Sequence, residues 1–143
     1  MAGKITFAMI KPDAFEAGKS GSILRHIEAS GFKIEAMQLV RLSRGEAEAF
    51  YEVHRGRPFF EELVAFMSSG RAVALAVSKD DAVASWRTAI GATDPTEAAE
   101  GTIRKLFAES KGRNAVHGSD SDENAAREVA FFFPERELAR LAR

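Results

Sequence analysis

The run Ala72-Val73-Ala74-Leu75-Ala76-Val77 is apolar without interruption. A strand that faces water on one side alternates apolar and polar residues, so this one reads as a strand covered on both faces. The chain must therefore supply cover for a sheet from either side. Its 143 residues suit one domain with a real core, expected to span residues 1–143. Other apolar runs, such as Val129 to Phe133, are also short. None approaches the roughly 20 residues that a membrane-spanning helix needs.

The rest of the cover can be read along the chain. Ile5 to Ile10 is apolar and β-favouring, and Pro12, which has no N–H to give a ladder, should end it. Ser22 to Ala29 carries Ile23, Leu24 and Ile27 at helical spacing and stops at Gly31. Phe32 to Leu42 partly alternates, as a long strand would. Ser43 is a plausible N-cap, with Glu46 three residues on to complete a capping box; a helix through about Val53 follows. Pro58 can open the next helix, which carries Phe59, Leu63, Phe66 and Met67 and ends near Gly70. Ser78 to Gly91 reads as helix with Val83, Trp86 and Ile90 on one side. Residues 91–101 read as a long loop, 102–109 as a short helix and 111–123 as a second loop. A helix near Asn124 leads into Val129 to Phe133, read as the last strand, and a short helix with Leu138 and Leu141 closes the chain after Pro134. The expected class is α+β: a ferredoxin-like βαββαβ antiparallel sheet covered by helices, with a long loop insertion. Long loops inside compact domains are uncommon and often functional.

Composition narrows the function. The chain has no cysteine, which removes disulfides, thiolate nucleophiles and thiolate metal sites. Lys plus Arg is 20 against 21 for Asp plus Glu, so no single-sign field points to nucleic acid or a membrane surface. Met1 to Phe7 lacks the long apolar stretch of a signal peptide, and the expected location is cytoplasmic.

Three histidines are present: His26, His54 and His117. None lies at i, i+3 or i+4 from another, so no metal-ligand set is expected. His26 reads as a solvated helix residue and His54 as a cap. His117 stands apart in Asn114-Ala115-Val116-His117-Gly118-Ser119-Asp120. Glycine permits close backbone approach there, and Ser and Asp can fix side-chain geometry. A histidine oriented by a carboxylate keeps one ring nitrogen free as a nucleophile, and Glu128 is a candidate orienter. Lys11, Arg87, Thr93 and Arg104 all fall at element edges or in loops, where sites are usually built. Convergent cations and hydroxyls of this kind match phosphate oxygens. Phe59 beside Phe60 can turn one ring inward and the other outward, where it could stack on a base. Neither a Walker loop nor a GxGxxG or GxSxG pattern occurs.

The stretch NAVHGSD resembles the N-x-x-H-G-S-D signature of the nucleoside diphosphate kinase family. TFAMIKPDAF, HRGRPFFEELVAFMSSG and GATDPTEAAEGTIR resemble that family's first strand, its lid helices and its long loop, in the same order. The resemblance implies transfer of a γ-phosphate from ATP or another nucleoside triphosphate to a diphosphate. The route is a ping-pong cycle through a phosphohistidine on the pros nitrogen of His117, with broad base specificity. It implies that Ser119 and Glu128 hold that ring, with Lys11 and Tyr51 beside it. Lys11, Arg87, Thr93, Arg104 and Asn114 would bind the nucleotide, with Phe59 and Leu63 against the base. Mg²⁺ would be held mainly by the nucleotide phosphates, with no protein metal site. Homo-oligomers built from dimers are implied; the short tail after Phe133 favours a tetramer over a hexamer.

Three positions depart from the family pattern: Glu100 replaces a common proline, Leu106 a common aspartate, and Lys111 an aliphatic residue facing the base. Altered nucleotide affinity is the expected result. Two rival readings are a catalytically silent homologue and an unrelated ferredoxin-like binding module. The second requires that Lys11, Arg87, Arg104 and His117 do not converge.

Overall fold

A computed structural model describes residues 3–142. Met1, Ala2 and Arg143, the ends of the expected domain and part of the stretch read for a signal peptide, lie outside the described residues. Four strands form an antiparallel sheet: β1 (Ile5–Ile10), β2 (Lys33–Arg41), β3 (Arg71–Ser78) and β4 (Val116–Gly118), in the order β2-β3-β1-β4. The helices are α1 (Pro12–Glu16), α2 (Ser20–Ala29), α3 (Arg44–Phe50), α4 (Phe60–Met67), α5 (Ala82–Ile90), α6 (Ile103–Phe107), α7 (Asp122–Phe132) and α8 (Glu135–Leu141). The order along the chain is the ferredoxin-like βαββαβ, with extra helices between β2 and β3 and the long loop before α6.

The apolar run in β3 is buried on both faces, as its composition requires. Successive residues of a strand point to opposite faces, so one strand feeds two cores. Phe7 and Met9 of β1 and Ala72, Ala74 and Ala76 of β3 face a core built with α3, α4 and α7. Ala8 and Ile10, with Val73, Leu75 and Val77, face a second core built with α2, α5 and α6. The small alanines on the first face leave room for its bulky aromatics, among them Phe50, Tyr51 and Phe60.

Local signals set several boundaries. Ser43 caps α3 by accepting from the Glu46 N–H, and Glu46 accepts from the Ser43 N–H, a complete capping box. α3 ends at Phe50, earlier than the expected Val53, because a 3₁₀ turn at Glu52–His54 takes over. Pro12 both ends β1 and begins α1, where its missing N–H costs nothing. α4 begins at Phe60, two residues past the expected Pro58.

The last strand was misassigned by sequence. Val129 to Phe133 is not a strand; Val129 to Phe132 ends α7 and Phe133 is its C-cap, in a helix started by Ser121 accepting from the Asn124 N–H at 3.1 Å. Ala125 and Val129 are buried four residues apart on one face, while Phe131 is exposed. A short apolar run does not by itself separate helix from strand. The true fourth strand, β4, lies within residues 111–123, expected as loop. It is only three residues long and one of those is glycine, too short for a periodic signal.

Leu75 is fully buried at the centre of β3. Leu75→Ala should lower the unfolding free energy by about 2–5 kcal/mol, the usual cost of such a cavity, read by chemical denaturation.

Candidate active site

β4 brings His117 to the sheet. Met9 lies opposite His117 and Ile10 opposite Val116, so the His117 side chain shares the face of Met9 and enters the aromatic core. Its ring centroid lies 5.8 Å from that of Phe7, 5.6 Å from Phe50 and 6.2 Å from Tyr51. The Trp86 indole N–H of α5 donates to the His117 carbonyl at 3.0 Å. Gly118 makes this close approach possible: a Cβ there would lie 2.8 Å from Trp86 Cδ1 and 3.1 Å from Ile90 Cδ1.

The histidine is oriented from α7. His117 Nε2 lies 2.8 Å from Glu128 Oε1, and Ser119 Oγ donates to the same oxygen at 2.7 Å. A carboxylate accepts and does not donate, so Nε2 carries the proton and Nδ1 keeps its lone pair. Burial lowers the proton affinity of His117 below the usual histidine value. Its bond to Glu128 and that carboxylate's charge oppose the shift, while Lys11 and Arg104 add to it. The ring is neutral and nucleophilic at neutral pH.

Cations gather on the other side. Lys11 stands at the end of β1, nearly buried, and its Nζ donates to Asn114 Oδ1 at 2.9 Å. Burial, reinforced by Arg104 and opposed by Asp13, lowers its pKa to about 8. Arg104 of α6 donates to the carbonyls of Gly91 (3.1 Å) and Val116 (3.0 Å), and its buried Nε has no partner. Burial, with exposed Arg87 nearby, lowers its pKa to about 10. A hollow of about 330 Å³ is lined by Arg87, Gly91, Thr93, Thr102 and Arg104, among others. Lys11 and His117 are not in its lining; Arg104 joins the two groups through its bond to the residue before His117. Among the described residues, none of these three cations has a carboxylate within salt-bridge distance.

The third wall is aromatic. Tyr51 is buried, its hydroxyl has no partner, and burial together with the Glu128 charge pushes that hydroxyl's pKa up. His54 stacks near Tyr51 at 6.2 Å and packs on Phe59 at 5.3 Å. Phe59 is 48% exposed while Phe60 is buried, the inward and outward pair read from sequence. Leu63 is half-buried against the core. His26, expected to be solvated, is half-buried and meets the Phe107 ring edge-on at 6.5 Å.

Sequence reading passed over several residues that hold this geometry. Trp86 was read only as an apolar helix position, although a buried indole N–H needs an acceptor. Arg127, beside Glu128, donates to the carbonyls of Ala49 (2.7 Å) and Phe50 (3.0 Å) and so ties α7 to the end of α3 just before Tyr51. Asp13 accepts from the Ala115 N–H at 3.0 Å. Among the described residues no three His, Cys, Asp or Glu side chains form a group that could hold a metal ion.

Comparison with known proteins gives a consistent picture. The family model described as Nucleoside diphosphate kinase matches residues 4–138. The chain is 58% identical over 137 residues to a nucleoside diphosphate kinase of Flavobacterium psychrophilum, covering 96% of this chain and 99% of that one. It is 54% identical over 135 residues to one of Chlorobium chlorochromatii, covering 94% and 96%. The solved nucleoside diphosphate kinase of Aquifex aeolicus superposes with a TM-score of 0.91 at 45% identity, covering 94% and 97%. That of Halobacterium salinarum, solved in complex with CDP, gives 0.87 at 37% identity, covering 94% and 90%. The chain belongs to the nucleoside diphosphate kinase family.

Gly118→Ala drives a methyl group into Trp86. It should cost about 1–3 kcal/mol of stability, as overpacking does, and shift the Trp86 fluorescence. Wild-type melting and emission would show that β4 and α5 separate freely.

Proposed function

We propose that this member of the nucleoside diphosphate kinase family moves the γ-phosphate of ATP or another nucleoside triphosphate to a nucleoside diphosphate, with His117 as the covalent carrier. The observation that carries the reading is the single Glu128 oxygen that accepts from both His117 Nε2 and Ser119 Oγ. It leaves Nδ1, the pros nitrogen, free beside Lys11 and Arg104.

In the first half-reaction the Nδ1 lone pair attacks the γ-phosphorus. The N–P bond forms as the bond from that phosphorus to the β-bridging oxygen breaks, and the diphosphate leaves. Positive charge grows on the imidazole, and the Glu128 carboxylate offsets it through the Nε2–H bond. In the second half-reaction a terminal oxygen of the acceptor diphosphate attacks the same phosphorus, and the N–P bond breaks. The protein contributes positioning and charge stabilisation, which is most of what phosphoryl transfer asks of it. Lys11, Arg87 and Arg104 meet the phosphate oxygens, assisted by Asn114 and Thr93. Tyr51 supports the histidine by packing its ring edge-on against it, 6.2 Å between centroids. Phe59 stacks on the base with Leu63 beside it; stacking is open to every base, which supports broad base specificity.

Mg²⁺ fits this donor set as a partner of the substrate. The cluster is cationic and its carboxylate, Glu128, is already committed to His117 and Ser119, so the ion is carried on the nucleotide phosphates. When bound it neutralises phosphate charge.

We further propose one domain over residues 1–143, a cytoplasmic location and a homo-oligomer built from dimers, with a tetramer favoured over a hexamer. No described helix is long and apolar enough to cross a membrane. β2 is an edge strand of nine residues whose Met37 and Leu39 are more than half exposed. Exposed edges of this length are usually paired or covered.

Incubation with γ-labelled ATP and Mg²⁺ should leave an acid-labile, base-stable label on the wild-type chain that GDP or CDP discharges. His117→Ala should carry none; label surviving in that variant, or absent from folded wild type, would overturn the assignment. A protonated ring has no Nδ1 lone pair, and the His117 pKa lies below 6.5. The acid limb of the phosphorylation rate should therefore lie at lower pH than an ordinary histidine would give. Glu128 raises that pKa, so Glu128→Gln should slow the reaction and move its acid limb lower still in pH, read from single-turnover rates.

A further inference from the structure

Asp13 sits in the first turn of α1, buried to 4% exposure. One carboxylate oxygen accepts from the Ala115 N–H at 3.0 Å; the other is buried with no partner. Ala115 itself is fully buried at φ 72°. A side chain in that left-handed region costs on the order of 1–3 kcal/mol and persists only where its surroundings hold it. Two bonds hold Ala115: Asp13 takes its N–H, and the Lys11 N–H donates to its carbonyl at 2.9 Å. The next residue, Val116, begins β4, and His117 follows. The conformation of Ala115 therefore sets where β4 meets β1.

Asp13 also acts on Lys11. The groups that face the Lys11 amine are Asn114 from the approach to β4, His117 on β4, Arg104 from α6 and Asp13 from α1. Asn114 is neutral, Arg104 repels the ammonium, and His117 is neutral when competent. Asp13 supplies the negative charge that favours the protonated amine.

We propose that Asp13 is a positioning residue for phosphoryl transfer, pinning the strained Ala115 backbone that aims the nucleophile's strand and serving as counter-charge to the buried Lys11 ammonium. The inference rests on the roles given above to His117 and Lys11. Both functions come from one carboxylate, and they can be separated by substitution.

The test is a pH profile of kcat and of kcat/KM on the full-length chain, with ATP as donor and CDP as acceptor, for Asp13→Asn and Asp13→Ala. The amide oxygen of Asp13→Asn can still accept from Ala115, but the charge is gone. With Asp13 present the Lys11 ammonium is lost above about pH 8; without the carboxylate that loss comes at lower pH. Asp13→Asn should therefore show KM beginning to climb at lower pH than in wild type, whose own rise is centred near pH 8. Asp13→Ala should lose the backbone pin as well, with kcat down by about tenfold in addition. Should Asp13→Ala fold poorly, Ala115→Gly in the same chain removes the strain, since glycine takes positive φ freely. That double variant should recover stability and keep the displaced alkaline limb. A wild-type alkaline limb in Asp13→Asn would overturn the proposal, as would an Asp13→Ala change confined to melting temperature. Calorimetric ADP binding against pH keeps the two readings apart. If wild type takes no label but Asp13→Asn still shifts the pH dependence of ADP binding, the carrier role of His117 fails while the Asp13–Lys11 coupling stands.

Discussion

The geometry of the site hangs on three rungs of backbone pairing. β4 meets β1 at Ala8, Met9 and Ile10, opposite Gly118, His117 and Val116. Side chains alternate along a strand, so a slip of one residue would turn His117 out of the aromatic core and put a neighbour in its place. So short a ladder does not hold register unaided. It is braced at each end by groups outside the sheet: the Trp86 indole on the His117 carbonyl, the Arg104 guanidinium on the Val116 carbonyl, and the backbone of Lys11 on Ala115. Arg104 and Lys11 thus hold the His117 strand with some of their donors and, in the function proposed above, meet phosphate with the rest. Structure and chemistry use the same cations.

The two cores divide the labour. The buried core on the α2, α5 and α6 side is aliphatic apart from Phe32 and Trp86, with Phe15 and Phe107 at its margin, and it carries the cationic helix α6. The opposite side is aromatic, and His117 sits in it among Phe7, Phe50 and Tyr51. A ring buried among rings is costly to protonate, which keeps it neutral, and it is stiff, which keeps Nδ1 aimed. Arg127 links this core to the hairpin of α3 and α4 and thereby to exposed Phe59. Phe59 and the His117 ring thus share one framework.

How much of this could be read beforehand depends on range. The β3 run, the Ser43–Glu46 capping box and the split between Phe59 and Phe60 are local signals, and each appears where the sequence put it. Glu128 is also read from sequence as a candidate orienter of His117, and the family resemblance adds Ser119; in the structure one Glu128 oxygen meets both. Val129 to Phe133 misled because an exposed Phe131 on a helix looks, in one dimension, like part of a buried strand. β4 was missed because three residues carry no period. Asp13 was missed because its role depends on a contact 102 positions away, and no local pattern marks a carboxylate that exists to hold a distant N–H. Side chains that do chemistry are legible from type and spacing; those that hold backbone across the fold are not.

Arg104 faces both Lys11 and Arg87; among the described residues none of the three has a carboxylate within salt-bridge distance, and Asp13 offsets only part of the charge at Lys11. In the ligand-free chain that is stored repulsion, and an anion arriving in the cluster relieves it. The same arrangement limits what protein engineering can do here. Placing an Asp or Glu among the three should raise the melting temperature, and it would do so by occupying the place proposed above for phosphate. Stability gained at this point comes out of substrate affinity, a trade-off common where sites are held under strain. Thermostabilising changes belong along α8, which packs on β2 at the sheet edge opposite β4.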